Sequence, residues 1–80
     1  MTNREKYNQA FIETLEITAD QLGDDLTYQS IEAWDSVGHM QLVSALEDAF
    51  DIMMDTDDII DLSSYPLGIE ILKKYDVEFS

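Results

Sequence analysis

The stretch EAWDSVGHMQLVSALEDAF, residues 32–50, has the pattern of an amphipathic helix that begins at about Ser36 and ends at Phe50. Asp35 is the expected N-cap, because a carboxylate there accepts hydrogen bonds from the exposed amides of the first turn. An advance of about 100° per residue gathers the apolar side chains on one side, which we expect to face the core. That side consists of Leu42, Leu46 and Phe50, flanked by Val43, Ala45 and Ala49.

The opposite side of this helix, which we call the acidic face, places two apolar side chains among acids. A small apolar spot ringed by carboxylates suits a protein interface, since charge steers the approach and the apolar groups supply desolvated contact. Single apolar side chains are also common on surfaces, but here charge and position together favour an interface. The acidic face consists of Val37, Met40, Gln41, Ser44, Glu47, Asp48 and Asp51.

The whole chain is strongly acidic, with 18 Asp and Glu against four Lys and Arg and a formal net charge of −14. There is no Lys or Arg from Tyr7 to Leu72. Such a surface repels nucleic-acid phosphates and anionic lipid heads, so we expect neither nucleic-acid binding nor membrane insertion. Basic protein surfaces are the expected partners, although acidity can also serve solubility alone. Strong uniform charge favours a monomer.

The start of the chain predicts a first helix. Thr2 and Glu5 have the capping-box spacing, in which each side chain bonds a free backbone N–H near the other. Tyr7, Phe11 and Leu15 recur every four residues and form one stripe, so we expect them in the core.

Between the first two helices, residues 18–34 predict a long loop held by separate apolar anchors. A long ordered loop in a small domain often has a function. The anchors are Leu22, Leu26, Tyr28, Ile31 and Trp34.

Two shorter segments complete the predicted fold. Residues 51–62 indicate a turn and a brief third helix, capped by Asp55 or Thr56 and anchored by Ile59, Ile60 and Leu62. Residues 63–75 predict a last helix that runs from a Ser64 cap to about Tyr75, with Pro66 in its first turn, where the missing N–H costs nothing.

The fold class predicted from these elements is all-α: a small four-helix bundle of three main helices and a short third one, in a single domain over residues 1–80. The chain has no cysteine, which excludes a disulfide framework and a cysteine nucleophile. No apolar run approaches the roughly 20 residues that span a bilayer, and the N-terminus lacks an apolar signal core. A cytoplasmic protein is therefore the default expectation.

Catalysis by Ser36 and His39 is one interpretation of their proximity, with Asp35 or Glu32 as the orienting acid. We expect no such activity, because residues on one short helix project side by side and no glycine-rich oxyanion loop accompanies them. His39 falls at the edge of the core, where it packs or lines a shallow pocket. Taken alone, the Asp35–Ser36 pair favours simple helix capping, although the positive end of a helix also suits a modified serine that bears an anion.

The acids of the third helix do not form an EF-hand. Such a calcium loop needs glycine at its sixth position, and counted from Asp55 that position is Ile60. We expect no specific metal site, although crowded carboxylates can bind divalent ions loosely. The acids concerned are Asp55, Asp57, Asp58 and Asp61.

The sequence D-S-V at residues 35–37, followed by the acidic amphipathic stretch LVSALEDAFDI at 42–52, resembles the acyl carrier proteins. The tripeptide matches their usual Asp-Ser-Leu with valine in place of leucine. The likeness extends over the whole chain, because the long first loop, the short third helix and the last helix occur in the order and spacing of that family.

The resemblance implies that Ser36, with Asp35 in the motif, carries a 4'-phosphopantetheine that a phosphopantetheinyl transferase moves from coenzyme A. The thiol of this cofactor would hold an acyl or aminoacyl group as a thioester, for fatty acid or specialised lipid or polyketide biosynthesis. The chain would then be a carrier and not an enzyme. Its further partners would be an acyl- or aminoacyl-loading ligase and acyl-processing enzymes with basic docking patches.

By the same resemblance, two sets of residues acquire roles. Partner contacts fall on Val37, Met40, Gln41, Glu47 and Asp48, and an acyl pocket falls on Tyr28, His39, Leu46 and Ile59. The chain departs from the family where Gly38 and Gln41 replace acids and His39 replaces a smaller residue. Gly38 costs a helix up to about 1 kcal/mol relative to alanine, which indicates either close approach of the cofactor arm or a mobile helix start.

Two alternatives remain open on the sequence alone. One is a carrier of aminoacyl or peptidyl groups in a specialised pathway. The other is a carrier-like acidic docking module whose Ser36 stays unmodified.

Overall fold

The computed structural model describes residues 2–79, in which four α-helices follow one another without any β-strand. The helices are α1 (Asn3–Leu15), α2 (Ser36–Phe50), α3 (Thr56–Asp61) and α4 (Tyr65–Lys73). The predicted all-α fold is confirmed for these residues, and the arrangement is compatible with a helical bundle. Of the predicted domain, Met1 and Ser80 lie outside the described residues.

The first helix forms as its sequence predicts. Glu5 N donates to Thr2 Oγ1 at 3.1 Å and Thr2 N donates to Glu5 Oε1 at 3.0 Å, which completes the capping box. Tyr7, Phe11 and Leu15 are buried in the core. The helix ends at Leu15, and its C-cap Glu16 adopts the left-handed conformation with φ of 54°.

The second helix also has the predicted bounds. Asp35 is its N-cap, with Oδ1 accepting from Gly38 N at 2.8 Å. Leu42, Val43 and Leu46 are buried. Phe50, expected in the core, is only half-buried at the last residue of α2, where it packs against the core beside Phe79 with ring centroids 6.3 Å apart.

Aromatic rings fill the centre of the molecule. The ring centroids of Tyr7 and Phe11 are 4.9 Å apart, and Phe11 meets Trp34 edge to face at 5.5 Å. Tyr7 also contacts Tyr65, with centroids 5.1 Å apart, and its hydroxyl donates to the Tyr65 carbonyl oxygen at 2.6 Å. Burial raises the pKa of the Tyr7 hydroxyl, which therefore stays a protonated donor. Such ring pairs stabilise a core by about 0.5–1.5 kcal/mol each beyond simple burial.

The loop before α2 contains a short 3-10 turn at Ala19–Gln21 that the sequence analysis did not predict. Its signal is the T-x-x-Q spacing, since Gln21 Oε1 accepts from Thr18 N at 3.1 Å. Leu26 and Trp34 are buried anchors, as predicted, whereas Tyr28 is exposed.

Backbone hydrogen bonds attach this loop to the segment between α3 and α4. Tyr28 N donates to Ser63 O at 2.8 Å, and Tyr65 N donates to Leu26 O at 2.9 Å. The contact includes an isolated antiparallel bridge between Thr27 and Ser64. These bonds join the loop before α2 to residues 63–65, which are far from it in the sequence.

Two expectations for the C-terminal half were wrong. Ile60, predicted as an anchor of α3, is 71% exposed, while Leu62 is buried and Ile59 half-buried. Consecutive residues of a helix point about 100° apart, and in the six-residue α3 the Ile59 side of the helix faces the core while Ile60 points away from it. Helix α4 ends at Lys73, short of Tyr75, because Lys74 N bonds back to the carbonyls of Ile71 and Leu72 and closes the last turn.

Candidate functional site

Ser36 is the first residue of α2, and its side chain is exposed. Before it, Trp34 is fully buried, and Asp35 accepts from Gly38 N across the first turn. The helix start thus presents a hydroxyl to solvent from a backbone that is anchored next to it. The positive end of a helix favours an anionic group attached at this position.

Gly38 is required by the close approach of the preceding loop. A Cβ atom built on Gly38 would lie 1.9 Å from the Ala33 carbonyl oxygen, which is far inside any van der Waals contact. The sequence left close approach of a cofactor arm or a mobile helix start as the reasons for this glycine. Its reason in the structure is that the Ala33 backbone packs directly on the first turn of α2.

A cleft of about 360 Å³ opens beside Ser36, and we call it the Ser36 cleft. It lies between the loop, the first turns of α2, and α3 with the residues that follow it. Its lining is mostly apolar, with hydroxyls at the rim. The lining residues are Tyr28, Ser36, His39, Met40, Ile59, Ile60, Leu62 and Ser63.

The structure brings most of the predicted pocket residues to this cleft. Tyr28, His39 and Ile59 line it together with Ser36. Leu46 does not, because it lies fully buried in the core on the inner side of α2. The assignment of Leu46 to an acyl pocket therefore stays a prediction that this cleft does not include.

Four residues of the cleft are not among the predicted pocket residues. The sequence predicts Ile60 and Leu62 as core anchors and Met40 as a partner contact, and it predicts no role for Ser63, yet all four line the cleft. The consecutive isoleucines of α3 were the available signal for Ile60, because they point about 100° apart and need not both face the core. Ser63 carried no local signal, because the loop contact with Tyr28 N brings it there.

His39 is held at both ring nitrogens. Trp34 Nε1 donates to His39 Nδ1 at 3.0 Å, and His39 Nε2 lies 2.7 Å from the Ile59 carbonyl oxygen. An indole N–H can only donate, so this network assigns the proton of the neutral imidazole to Nε2, which donates to Ile59. Transfer of a proton from Ser36 to His39 would first require one of these bonds to break.

The acidic face is exposed along α2 except at one residue. Val37 is 64% and Met40 55% exposed, and the side chains of Gln41 and Asp48 also face solvent. Glu47 is half-buried, and its Oε2 accepts from Met54 N at 2.9 Å. Glu47 thus holds the segment after α2 as well as contributing charge to this face.

A separate carboxylate, Asp58, is buried at the start of α3. Its Oδ1 lies 2.5 Å from Lys74 Nζ, and its Oδ2 accepts from the Tyr75 hydroxyl. The hydrogen bonds from Lys74 and Tyr75 hold the pKa of this carboxyl below its ordinary range. The pair raises the pKa of the Lys74 ammonium correspondingly. These contacts tie α3 to the residues just beyond α4.

Over residues 2–79 no group of His, Cys, Asp or Glu side chains is arranged to hold a metal ion. Within the same residues, no helix has the length and apolar character needed to cross a membrane. The chemistry-bearing features that remain are the exposed serine, the cleft beside it and the acidic face.

Fold and site together define a small all-helical protein that presents one serine hydroxyl between an apolar cleft and an acidic surface. Comparison of the chain with models of known protein families gives no match, and neither curated proteins nor solved structures give a significant one.

Proposed function

We propose that this protein is an acyl carrier protein in which Ser36 bears a covalently attached 4'-phosphopantetheine. The observation that carries the proposal is that one exposed hydroxyl, Ser36, begins α2 and also lines the Ser36 cleft. When attached, the group supplies a thiol that holds an acyl or aminoacyl cargo as a thioester. The chain itself supplies the attachment point and the surfaces around it.

The residues around Ser36 suit this group. A transferase can reach the exposed hydroxyl, and the start of α2 favours the negative charge of a phosphodiester. The adjacent carboxylate of Asp35 is engaged by Gly38 N, which lowers its repulsion of that charge. The apolar cleft offers the attached group a surface on which to rest.

The acidic face supports docking of basic partners beside the attachment point. Val37, next to Ser36, and Met40, one turn further, supply exposed apolar contact, and Asp48 with one oxygen of Glu47 supplies charge further along. A phosphopantetheinyl transferase, a loading ligase and acyl-processing enzymes with basic patches are the proposed partners. Catalysis belongs to these partners, since both nitrogens of His39 are already engaged.

The test is the intact mass of the protein after incubation with coenzyme A, magnesium and a broad-specificity phosphopantetheinyl transferase. We expect the parent chain to gain one phosphopantetheine and Ser36→Ala to gain none. Ser44→Ala is the matched control, because Ser44 is an exposed serine on the same helix and should not affect the gain.

Absence of any gain in a folded parent chain, with the transferase active on a control carrier, would contradict the proposal. The acidic docking module with an unmodified Ser36 would then be the better account. The exposed apolar side chains of the acidic face favour that second function, since they serve docking whether or not Ser36 is modified.

A further inference from the structure

Three aromatic side chains form successive layers from the Ser36 cleft into the core. His39 lines the cleft and is half-buried, while Trp34 behind it is fully buried. Their rings are nearly parallel, with an interplanar angle of 14° and centroids 6.3 Å apart, and Trp34 Nε1 donates to His39 Nδ1 at 3.0 Å. Beyond Trp34 lies Phe11, whose ring meets the indole edge to face at 5.5 Å.

Two consecutive hydrogen bonds link Trp34 in the loop to His39 on α2 and His39 to Ile59 on α3. Trp34 Nε1 donates to His39 Nδ1, and His39 Nε2 donates to the Ile59 carbonyl oxygen. We call this pair of hydrogen bonds the Trp34–His39–Ile59 bridge. Opening it would leave a buried indole N–H without an acceptor, whereas every buried side-chain polar atom of residues 2–79 now has a partner.

The bridge lies on the inner side of the cleft, because His39 lines the cleft and Trp34 behind it is fully buried. Leu46, which is fully buried, does not line the cleft, whereas Leu62 is a buried residue that does. The space behind the bridge is occupied by Trp34 and Phe11, whose rigid rings leave few alternative packings.

We propose that the Trp34–His39–Ile59 bridge is the inner wall of the Ser36 cleft and makes His39 a specificity-determining residue. The bridge restricts the cargo to a short acyl group that stays in the cleft and excludes a long alkyl chain from the core. This inference rests on the proposed carrier function for its biological meaning. The wall itself is a property of the chain and can be tested without the cofactor.

The absence of cysteine allows a direct test, because Ser36→Cys introduces the only thiol of the chain. Its thiolate attacks the sulfenyl sulfur of an alkyl methanethiosulfonate, which forms a mixed disulfide and releases methanesulfinate. Adducts with two, four, eight and twelve carbons would be compared by their melting temperatures. Every methylene that enters the core should raise Tm by roughly 3–6 °C.

We expect Tm of the Ser36→Cys adducts to level off after the four-carbon chain. With His39→Ala added, Tm should rise beyond the four-carbon chain, because the space of the imidazole in front of Trp34 becomes available. His39→Gln should restore the plateau, since its amide oxygen can accept from Trp34 and its NH₂ group can donate to Ile59. Ser44→Cys adducts, on the exposed side of α2, control for effects of the alkyl chain on the surface.

A steady rise of Tm in the Ser36→Cys adducts, or a plateau that persists in His39→Ala, would overturn the proposal. Should His39→Ala fail to fold, fluorescence of Trp34, the single tryptophan, decides the question in the Ser36→Cys background. Chains of four and twelve carbons, each brominated at its far end, are compared, and the twelve-carbon chain should quench the Trp34 emission no more than the four-carbon chain does, because both stay outside the wall. Stronger quenching by the twelve-carbon chain would mean that it reaches the core.

These outcomes are separate from the test of the carrier function. Failure of Ser36 to accept phosphopantetheine would contradict the carrier proposal and leave the wall intact if the plateau is seen. If the parent chain accepts phosphopantetheine and the Ser36→Cys adducts show no plateau, the carrier proposal stands and the proposed wall is contradicted.

Discussion

Gly38 is the residue at which a single added methyl group has the clearest consequence. The Ala33 carbonyl oxygen occupies the place of its Cβ, so Gly38→Ala requires the loop to move away from α2. We expect a net loss of about 1–3 kcal/mol in the free energy of unfolding, despite the higher helix propensity of alanine. Urea denaturation of the parent and of Gly38→Ala would measure this loss. Ser44→Ala, an exposed change on the same helix, should cost almost nothing, and an equal loss at both positions would argue against the contact with Ala33.

Glu47 and Asp48 are neighbouring acids with different roles at the residue scale. Reversal of Asp48 to lysine should weaken modification by the transferase and leave stability unchanged, because Asp48 is exposed. Glu47→Lys should weaken modification and also lower the free energy of unfolding by about 1.5–3 kcal/mol, because it removes the acceptor of Met54 N. Transferase kinetics at low salt and thermal melts would separate the two effects.

Asp25→Lys, a reversal at an exposed acid of the loop, is the control for net charge in that comparison. Modification rates that fall equally in Asp25→Lys and Asp48→Lys would mean that total charge matters and the acidic face does not.

At the scale of elements, α3 depends on polar contacts more than its neighbours do. It has only six residues, one of its two isoleucines is exposed, and Asp58 ties it to Lys74 and Tyr75. His39 provides a second tie through the Ile59 carbonyl. Since α3 also lines the Ser36 cleft, the shape of the cleft depends on these ties.

The tie at Asp58 predicts a pH dependence of stability. Its pKa is lower in the folded chain than in the unfolded one, mainly through the Lys74 hydrogen bond. Its contribution is therefore fully present above the ordinary pKa of an aspartate and is lost as the pH falls through the lowered folded value. Asp58→Asn should remove this contribution, so the stability difference between parent and variant should shrink on acidification from neutral pH.

Denaturation of both proteins by urea at a series of pH values would test this expectation. Asp57→Asn, an exposed neighbour on α3, serves as the control. A stability difference for Asp58→Asn that stays constant down to strongly acidic pH would contradict the role of the ion pair.

At the scale of the whole molecule, the main electrostatic feature is the net charge of −14 on 80 residues. Mutual repulsion of the carboxylates lowers the stability of the compact state, so added salt should raise Tm. Crowded acids on α3 should also bind divalent cations loosely, although no built metal site lies within residues 2–79. We therefore expect magnesium to raise Tm more than sodium at matched ionic strength, as measured by thermal melts. Equal shifts would show that screening alone acts.

Several features of the protein could be predicted from its sequence, because each depends on residues close together in the chain. The capping box of Thr2 and Glu5, the Asp35 cap and the bounds of α2 follow from contacts within one helical turn. The acidic face follows from helical periodicity alone. The position of Ser36 at a helix start is determined in the same local way.

Other features were decided by tertiary structure, because they join residues from different elements. Nothing near His39 in the sequence indicates that the Ile59 carbonyl oxygen will accept a hydrogen bond from its Nε2. The contact of Ala33 with Gly38 depends on the path of the loop, and the role of Glu47 depends on how the chain turns back at Met54. Periodicity assigns a residue to one side of a helix, but only the packing of the other elements decides what lies against that side. For this reason the sequence alone determined the helices and the exposed serine, while the tertiary structure decided the cleft beside Ser36 and the wall that closes it.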